Sequence, residues 1–233
     1  MIDFHSHILP GIDDGSPDVS TSLRMVAEMK RQGIETILAT SHFYATKQSP
    51  EQFLFNRYHA FERLSPQLSA RSPEILLGAE VLFFPGISRM RELPDLCVEG
   101  TNLLLLEMPF KPWSENTVQE VKSLASSGEY TILLAHIERY YSQQPRRVWD
   151  EFLDYGMLMQ ANADFFLSLF SRHKALRLLK ESRIHLLGTD AHNMTTRAPR
   201  MQEAVSVIRK YLGSEFLSYM DDLGHHLLCD ALE

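Results

Sequence analysis

Seven short apolar runs recur along the chain, at residues 2–4, 36–39, 75–78, 103–106, 130–135, 158–161 and 184–187, with helical periodicity between them. This alternation constrains the fold more than any other property. Strands joined through helices run parallel, and a parallel sheet is covered on both faces, which suits runs that are apolar nearly throughout. A second regularity accompanies the first. Almost every run ends in a residue able to bind metal or move a proton: His5 and His7, His42, Glu80, Glu107, His136, and Asp190 with His192. An open sheet gathers its ligands at one crevice. A barrel of parallel strands collects them from all its strand ends on one face. The expected fold is α/β, a closed or nearly closed seven-stranded barrel.

Helix signals fill the gaps. Ser16-Pro17 reads as an N-cap and first-turn proline for a helix ending near Gly33. Ser49-Pro50-Glu51-Gln52 reads as a capping box, with Gln52 reaching back to the cap. Val118, Val121 and Leu124 share a face before Gly128, and Pro199 opens a helix that carries Val205 and Ile208 to Gly213. Residues 215–233 read as an amphipathic helix that packs on the barrel, through Phe216, Leu217, Met220, Leu223, Leu227 and Leu228.

With 233 residues, 44% of them hydrophobic, the chain can bury one sizeable core, so a single domain over residues 1–233 is expected. The net charge of -7 and the lack of a basic block argue against nucleic-acid binding. Cys97 and Cys229 have no paired spacing, which points to a reducing compartment. The opening residues lack the basic and apolar regions of a signal peptide, and no run approaches the ~18 apolar residues of a membrane span. A cytoplasmic protein without membrane insertion is expected.

His5 and His7 stand two apart on one strand, so both imidazoles point the same way and can share a metal. Asp190 and His192 repeat that spacing. Glu80 and Glu107 end apolar runs, where a carboxylate is costly to bury unless paired or metal-bound. Asp13-Asp14-Gly15 adds carboxylates in the first loop. The remaining histidines, His59, His173, His185, His225 and His226, lie within helical patterns or a strand and read as structural. The ligand set exceeds what one ion needs and suits two or three divalent ions: manganese, iron or zinc. Such ions activate a bridging water and clamp phosphoryl oxygens for in-line attack. Arg139, beside His136, and Arg197, after the Asp190 loop, are then candidate phosphate-binding groups.

These segments together, His5-Ser6-His7, Asp13-Asp14-Gly15, Thr40-Ser41-His42, Gly78-Ala79-Glu80, Leu106-Glu107, Ala135-His136-Ile137-Glu138-Arg139-Tyr140 and Asp190-Ala191-His192-Asn193, resemble the polymerase-and-histidinol-phosphatase (PHP) superfamily. The chain is similar, more narrowly, to the bacterial manganese-dependent protein-tyrosine phosphatases of capsule and exopolysaccharide loci. That resemblance runs from residue 1 to about Gly213 and implies a distorted seven-stranded (β/α)7 barrel, PHP type. It implies one ion on His5, His7, Glu80 and Asp190, and a second on Glu80, Glu107 and His136. A third would lie on His42, His192 and a carboxylate of the Asp13-Asp14 pair, Asp14 being preferred because it directly precedes Gly15. The implied substrate is the phosphotyrosine tail of a bacterial tyrosine kinase, the cofactor Mn2+, and the implied reaction direct attack by activated water with no phosphoenzyme. Asp13 or Asp14 is the candidate acid. Alternatives are a phosphatase of a small phosphomonoester such as histidinol phosphate, and a non-catalytic metal-bound regulatory module. Cysteine-based chemistry is not expected: Leu103 stands six residues past Cys97, where a thiolate loop would need arginine.

Overall fold

A computed structural model describes residues 1–229. Its strands are β1 (Ile2–Ser6), β2 (Thr36–Ala39), β3 (His42–Phe43), β4 (Glu74–Leu77), β5 (Glu80–Leu82), β6 (Leu103–Glu107), β7 (Thr131–Leu134), β8 (Leu158–Asn162) and β9 (Leu186–Gly188). Every ladder between them is parallel, in a three-stranded sheet ordered β1-β2-β4 and a six-stranded sheet ordered β3-β5-β6-β7-β8-β9. The sequence runs anticipate seven strands. The two further segments arise because Thr40-Ser41 separates β2 from β3, and Gly78-Ala79 separates β4 from β5. Backbone bonds bridge these breaks, from Thr40 N–H to Ser6 O (2.9 Å), Gly78 N–H to Ala39 O (3.0 Å) and Glu80 N–H to Ser41 O (3.0 Å). At the other edge, Asp190 N–H donates to His5 O (2.7 Å) and His7 N–H to Ala191 O (2.9 Å), joining the end of β9 to β1. The architecture is an α/β fold with a curled sheet of parallel strands.

Helices α1 (Val19–Arg31), α2 (Pro50–Leu64), α3 (Glu115–Ser126), α4 (Arg146–Asp154), α5 (Arg172–Lys180) and α6 (Met201–Leu212) pack their apolar faces on the sheet in one large cluster, which includes Met25, Phe53, Val121, Trp149, Leu178 and Ile208. A smaller cluster draws on Ile2, Phe4, Leu38, Leu103, Leu105, Leu133 and Leu186. Leu223, Leu227 and Leu228 of α7 (Glu215–Cys229) close onto it. Gly224 permits this approach, since a Cβ there would stand 3.0 Å from the Phe4 ring. The expected terminal helix therefore packs against the strands; residues 230–233 of that expectation lie outside the described residues. On β6, Leu103 and Leu105 belong to the smaller cluster and Leu104 and Leu106 to the larger, so the two-residue period carries Glu107 to the inner side.

Two cap expectations need correction. The N-cap of α1 is Asp18, whose carboxylate accepts Thr21 N–H at 2.8 Å; Ser16 donates to Asp18 O instead. Ser49 does cap α2, accepting Gln52 N–H, but the Gln52 amide runs forward to Asn56 rather than back to the cap. Among the described residues, no helix is long and apolar enough to cross a membrane.

Candidate metal centre

The side chains converge at or just past the carboxyl ends of β1, β2, β4, β6, β7 and β9. His5 and His7 come from β1 and its extension, His42 from the start of β3, Glu80 from the start of β5 and Glu107 from the end of β6. His136, Asp190 and His192 follow β7 and β9. His136 (φ 30°) and Asp190 (φ 51°) adopt left-handed backbone, which non-glycine residues rarely do. Such a turn redirects a side chain just past a strand end, at a cost of about 1–3 kcal/mol each that surrounding contacts must offset. For His136, one such contact is its N–H bond to Gln160 Oε1 at 2.7 Å.

Glu80 is fully buried at the centre. Its Oε2 lies 3.1 Å from His5 Nε2, 3.3 Å from His7 Nε2 and 2.8 Å from His42 Nδ1; its Oε1 lies 2.6 Å from His136 Nε2. Glu107 Oε1 is 3.5 Å from the same His136 nitrogen. Asp190 Oδ1 is 3.7 Å from His5 Nε2 and 3.4 Å from His7 Nε2. Asp14 Oδ1 stands 3.3 Å from His42 Nε2 and 3.5 Å from His192 Nε2.

Outer partners decide which ring nitrogens face inward. His5 Nδ1 meets Gln160 Oε1 (3.2 Å), His7 Nδ1 meets Asp13 Oδ2 (2.8 Å) and His192 Nδ1 meets the Asp190 carbonyl (2.9 Å). An oxygen acceptor at Nδ1 calls for a proton there, which leaves Nε2 with its lone pair, the tautomer of a metal-binding histidine. The Nε2 atoms of His5 and His7 stand 3.1 Å apart beside two carboxylates, and burial of the His7 imidazole is outweighed by Asp13, Asp190 and Glu80, which raise it well above its usual range. Four buried atoms of these residues make no hydrogen bond of good geometry: His136 Nδ1, His192 Nε2, and Glu80 Oε2 with His42 Nδ1, which stand 2.8 Å apart without forming one. Buried polar atoms in that state are expensive. A divalent cation supplies what this donor set lacks, and the residues fit one. Four groups of donor atoms qualify by proximity: His7/Asp14/His42/His192, His5/His7/Asp190, His5/Glu80/His136 and His42/Glu80/Glu107.

With protons as the only cations, the charge is divided between the same residues. Burial pushes the Glu80 carboxyl up, but His5, His136 and His42 hold it well below the usual range. Burial likewise opposes ionisation of Asp190, and His5 and His7 outweigh it. His136 is desolvated too, yet Glu107 and Glu80 raise it to about 10. Metal binding displaces such protons from imidazole.

Every residue singled out in the sequence lies here, and the structure separates the paired aspartates. Asp13 is buried and committed: beyond His7 it accepts Gly15 N–H (2.9 Å) and His42 N–H (3.0 Å). These partners overcome its burial and hold its carboxyl far below the usual range, so Asp13 is a support for His7 and does not suit the acid role. Asp14 is largely exposed and faces the two outer histidines. Arg139 and Arg197 each donate to Asp190, at Oδ2 and Oδ1 respectively, both at 2.7 Å. Each is about one-third exposed, so both guanidinium groups remain open to a ligand. None of the five other histidines enters a donor group. Cys97 is buried, and burial with Asp95 nearby pushes its thiol to about 12, which removes it as a nucleophile.

Several contributors have no sequence signal. Gln160 orients His5 and also accepts His136 N–H. Asn162 donates to Asp190 Oδ2 at 2.8 Å. Asp3 accepts Thr189 N–H and hydroxyl and so fixes the β1–β9 junction. Their side chains meet only across neighbouring strands, which a linear pattern does not reveal.

Residues 1–224 match the model of the capsular polysaccharide synthesis family CpsB/CapC. The chain belongs to that family. Two relatives support the membership. Tyrosine-protein phosphatase CpsB of Streptococcus agalactiae serotype III (strain NEM316) is 30% identical over 233 residues, covering 92% of this chain and 92% of that protein. Tyrosine-protein phosphatase YwqE of Bacillus subtilis (strain 168) is 31% identical over 228 residues, covering 94% and 88%. Among solved structures, a chain from the work on YwqE of Bacillus subtilis and CpsB of Streptococcus pneumoniae, described as metal-dependent tyrosine phosphatases, superposes with a TM-score of 0.84. That match has 28% identity and covers 98% of this chain and 94% of the other. The histidinol phosphate phosphatase HISK of Lactococcus lactis, complexed with zinc, L-histidinol and phosphate, shares the fold at a TM-score of 0.57 and 15% identity over 92% of this CpsB/CapC chain and 93% of its own.

Proposed function

We propose that this chain is a metal-dependent protein-tyrosine phosphatase acting in the cytoplasm on the phosphotyrosine tail of a bacterial tyrosine kinase that controls capsule or exopolysaccharide synthesis. The observation that carries the reading is the cluster of inward lone pairs around Glu80, with two arginines at its rim, in a chain of the CpsB/CapC family. Counting β2 with β3 and β4 with β5 as single interrupted strands supports reading the scaffold as a distorted seven-stranded barrel of one domain, with the site at its mouth. His5, His7, Glu80 and Asp190 would hold one ion, Glu80, Glu107 and His136 a second, and Asp14, His42 and His192 a third, with Mn2+ the proposed metal. When bound, the ions supply an activated water and positive charge for the phosphoryl oxygens. Gln160, Asp13 and the Asp190 carbonyl keep His5, His7 and His192, respectively, in the binding tautomer. Arg139 and Arg197, already turned to one carboxylate, offer N–H groups to the phosphate as charge spreads over its oxygens. A phenol leaves with a pKa near 10, so less proton donation is needed than for an alkyl alcohol.

The test is hydrolysis of a phosphotyrosine peptide and of histidinol phosphate by protein stripped of metal and then reloaded with manganese, beside Glu80→Ala. Peptide turnover that returns with manganese and is absent from the variant is expected. Turnover of histidinol phosphate alone would move the protein to small-molecule chemistry. Tight binding of the phosphopeptide without turnover would make it a regulatory module.

A further inference from the structure

We propose that Phe110 and Tyr44 form an aromatic slot over the metal centre that selects aryl phosphates over alkyl phosphates, with Phe110 the principal wall. This deepens the phosphatase reading and rests on it. Phe110 follows β6 three residues after Glu107 and is 49% exposed despite being apolar. Its ring meets the His136 imidazole edge-on at 5.7 Å, and the Arg139 guanidinium lies 5.7 Å from its centroid. Beneath it, Tyr140 stacks at 6.0 Å and is fully buried; its hydroxyl donates to the Ala135 carbonyl, and its ring lies against Trp149 and Trp113. Phe110 is thus an exposed ring on a rigid base. Tyr44 stacks on His42 at 5.0 Å with an interplanar angle of 22°, and the Lys47 ammonium sits 4.1 Å from its centroid. His136 and His42 approach different oxygens of Glu80, at 2.6 and 2.8 Å. The two aromatic rings therefore lean on the two imidazoles that flank one carboxylate.

A phosphoryl group held by Arg139 beside His136 must send its leaving group outward past Phe110. A flat ring leaving by that route meets an aromatic face, whereas an alkyl chain gains little there. Ring pairing of this kind contributes roughly a 3- to 10-fold preference.

The experiment compares phenylphosphonate with methylphosphonate, neither of which is hydrolysed. Their dissociation constants are measured by calorimetry on manganese-loaded wild type, Phe110→Ala, Phe110→Tyr and Tyr44→Ala, alongside kcat and KM for a phosphotyrosine peptide. The wild type should prefer phenylphosphonate. Phe110→Ala should narrow that ratio about 3- to 10-fold by weakening the phenyl ligand alone, and should raise KM more than it lowers kcat. Phe110→Tyr should restore both, and Tyr44→Ala should narrow the ratio less. Equal weakening of the two phosphonates would overturn the slot, because it would mean that Phe110 merely props Arg139; an unchanged ratio would overturn it as well. Wild type that spares the phosphopeptide yet binds phosphonates would instead break the phosphatase reading.

Discussion

At the scale of single residues, the centre is organised by supports as much as by ligands. Asp13 shows the difference. Its carboxylate touches His7 Nδ1 and two backbone N–H groups. Asp13→Asn should therefore weaken metal retention about 10- to 100-fold without removing a ligand atom, as other outer-partner changes do; competition against a chelator reads this directly. His185 offers a test away from the site. Burial lowers its imidazole from 6.5 to about 4, and its Nδ1 accepts Met159 N–H at 3.0 Å. As pH falls through 6.5 the unfolded chain takes up a proton that the folded chain refuses until about 4. The unfolded state binds more protons in that window, so stability drops as pH falls across it, by at most about 3 kcal/mol. Urea midpoints between pH 7.5 and 4.5 should decline, and His185→Gln should flatten the decline. The donor residues that the fold brings together were conspicuous in the sequence because most of them end an apolar run, where a carboxylate or paired histidine stands out. Gln160, Asn162, Tyr44 and Phe110 were not legible, since their roles depend on which strand end lies beside which.

At the scale of elements, close approach sets the geometry. A Cβ on Gly188 would stand 2.5 Å from His5 Cβ and 2.8 Å from Gln160 Nε2. Gly188→Ala must push β9 away from β1 and turn His5 from its partner, so both melting temperature and metal content should fall together. A surface alanine on α6 would change neither. Ser49→Ala removes the α2 cap and should cost about 1 kcal/mol in denaturant unfolding, leaving metal content intact. The seven runs declared themselves through unbroken apolar stretches. Segments as short as His42–Phe43 and Glu80–Leu82 carry no period of their own and exist because neighbouring strands offer ladder partners. The α1 cap was misread for a similar reason: Ser16 and Asp18 both flank Pro17, and only the fold shows that the Asp18 carboxylate reaches Thr21 N–H.

At the scale of the molecule, the centre concentrates unpaired polar atoms inside an otherwise well-satisfied core. Stripping metal should therefore lower stability as well as abolish turnover. Saturation at 100 times the dissociation constant is worth about 2.7 kcal/mol. For a chain of this size that corresponds to roughly 5–10 °C in melting temperature, recovered on adding manganese, and thermal scans with and without chelator measure it. The contact between β1 and the end of β9 has one more consequence, for the order of events on the ribosome. His5 and His7 emerge well before Asp190, His192 and Arg197. A nascent chain that stops short of Asp190 has Glu80 and His136 to set beside the early histidines, but it lacks the carboxylate of the His5/His7/Asp190 group and the His192 imidazole of the outer one. Two of the four donor groups, His5/Glu80/His136 and His42/Glu80/Glu107, are thus encoded before the others can be completed, so the donor set assembles in an order set by the chain.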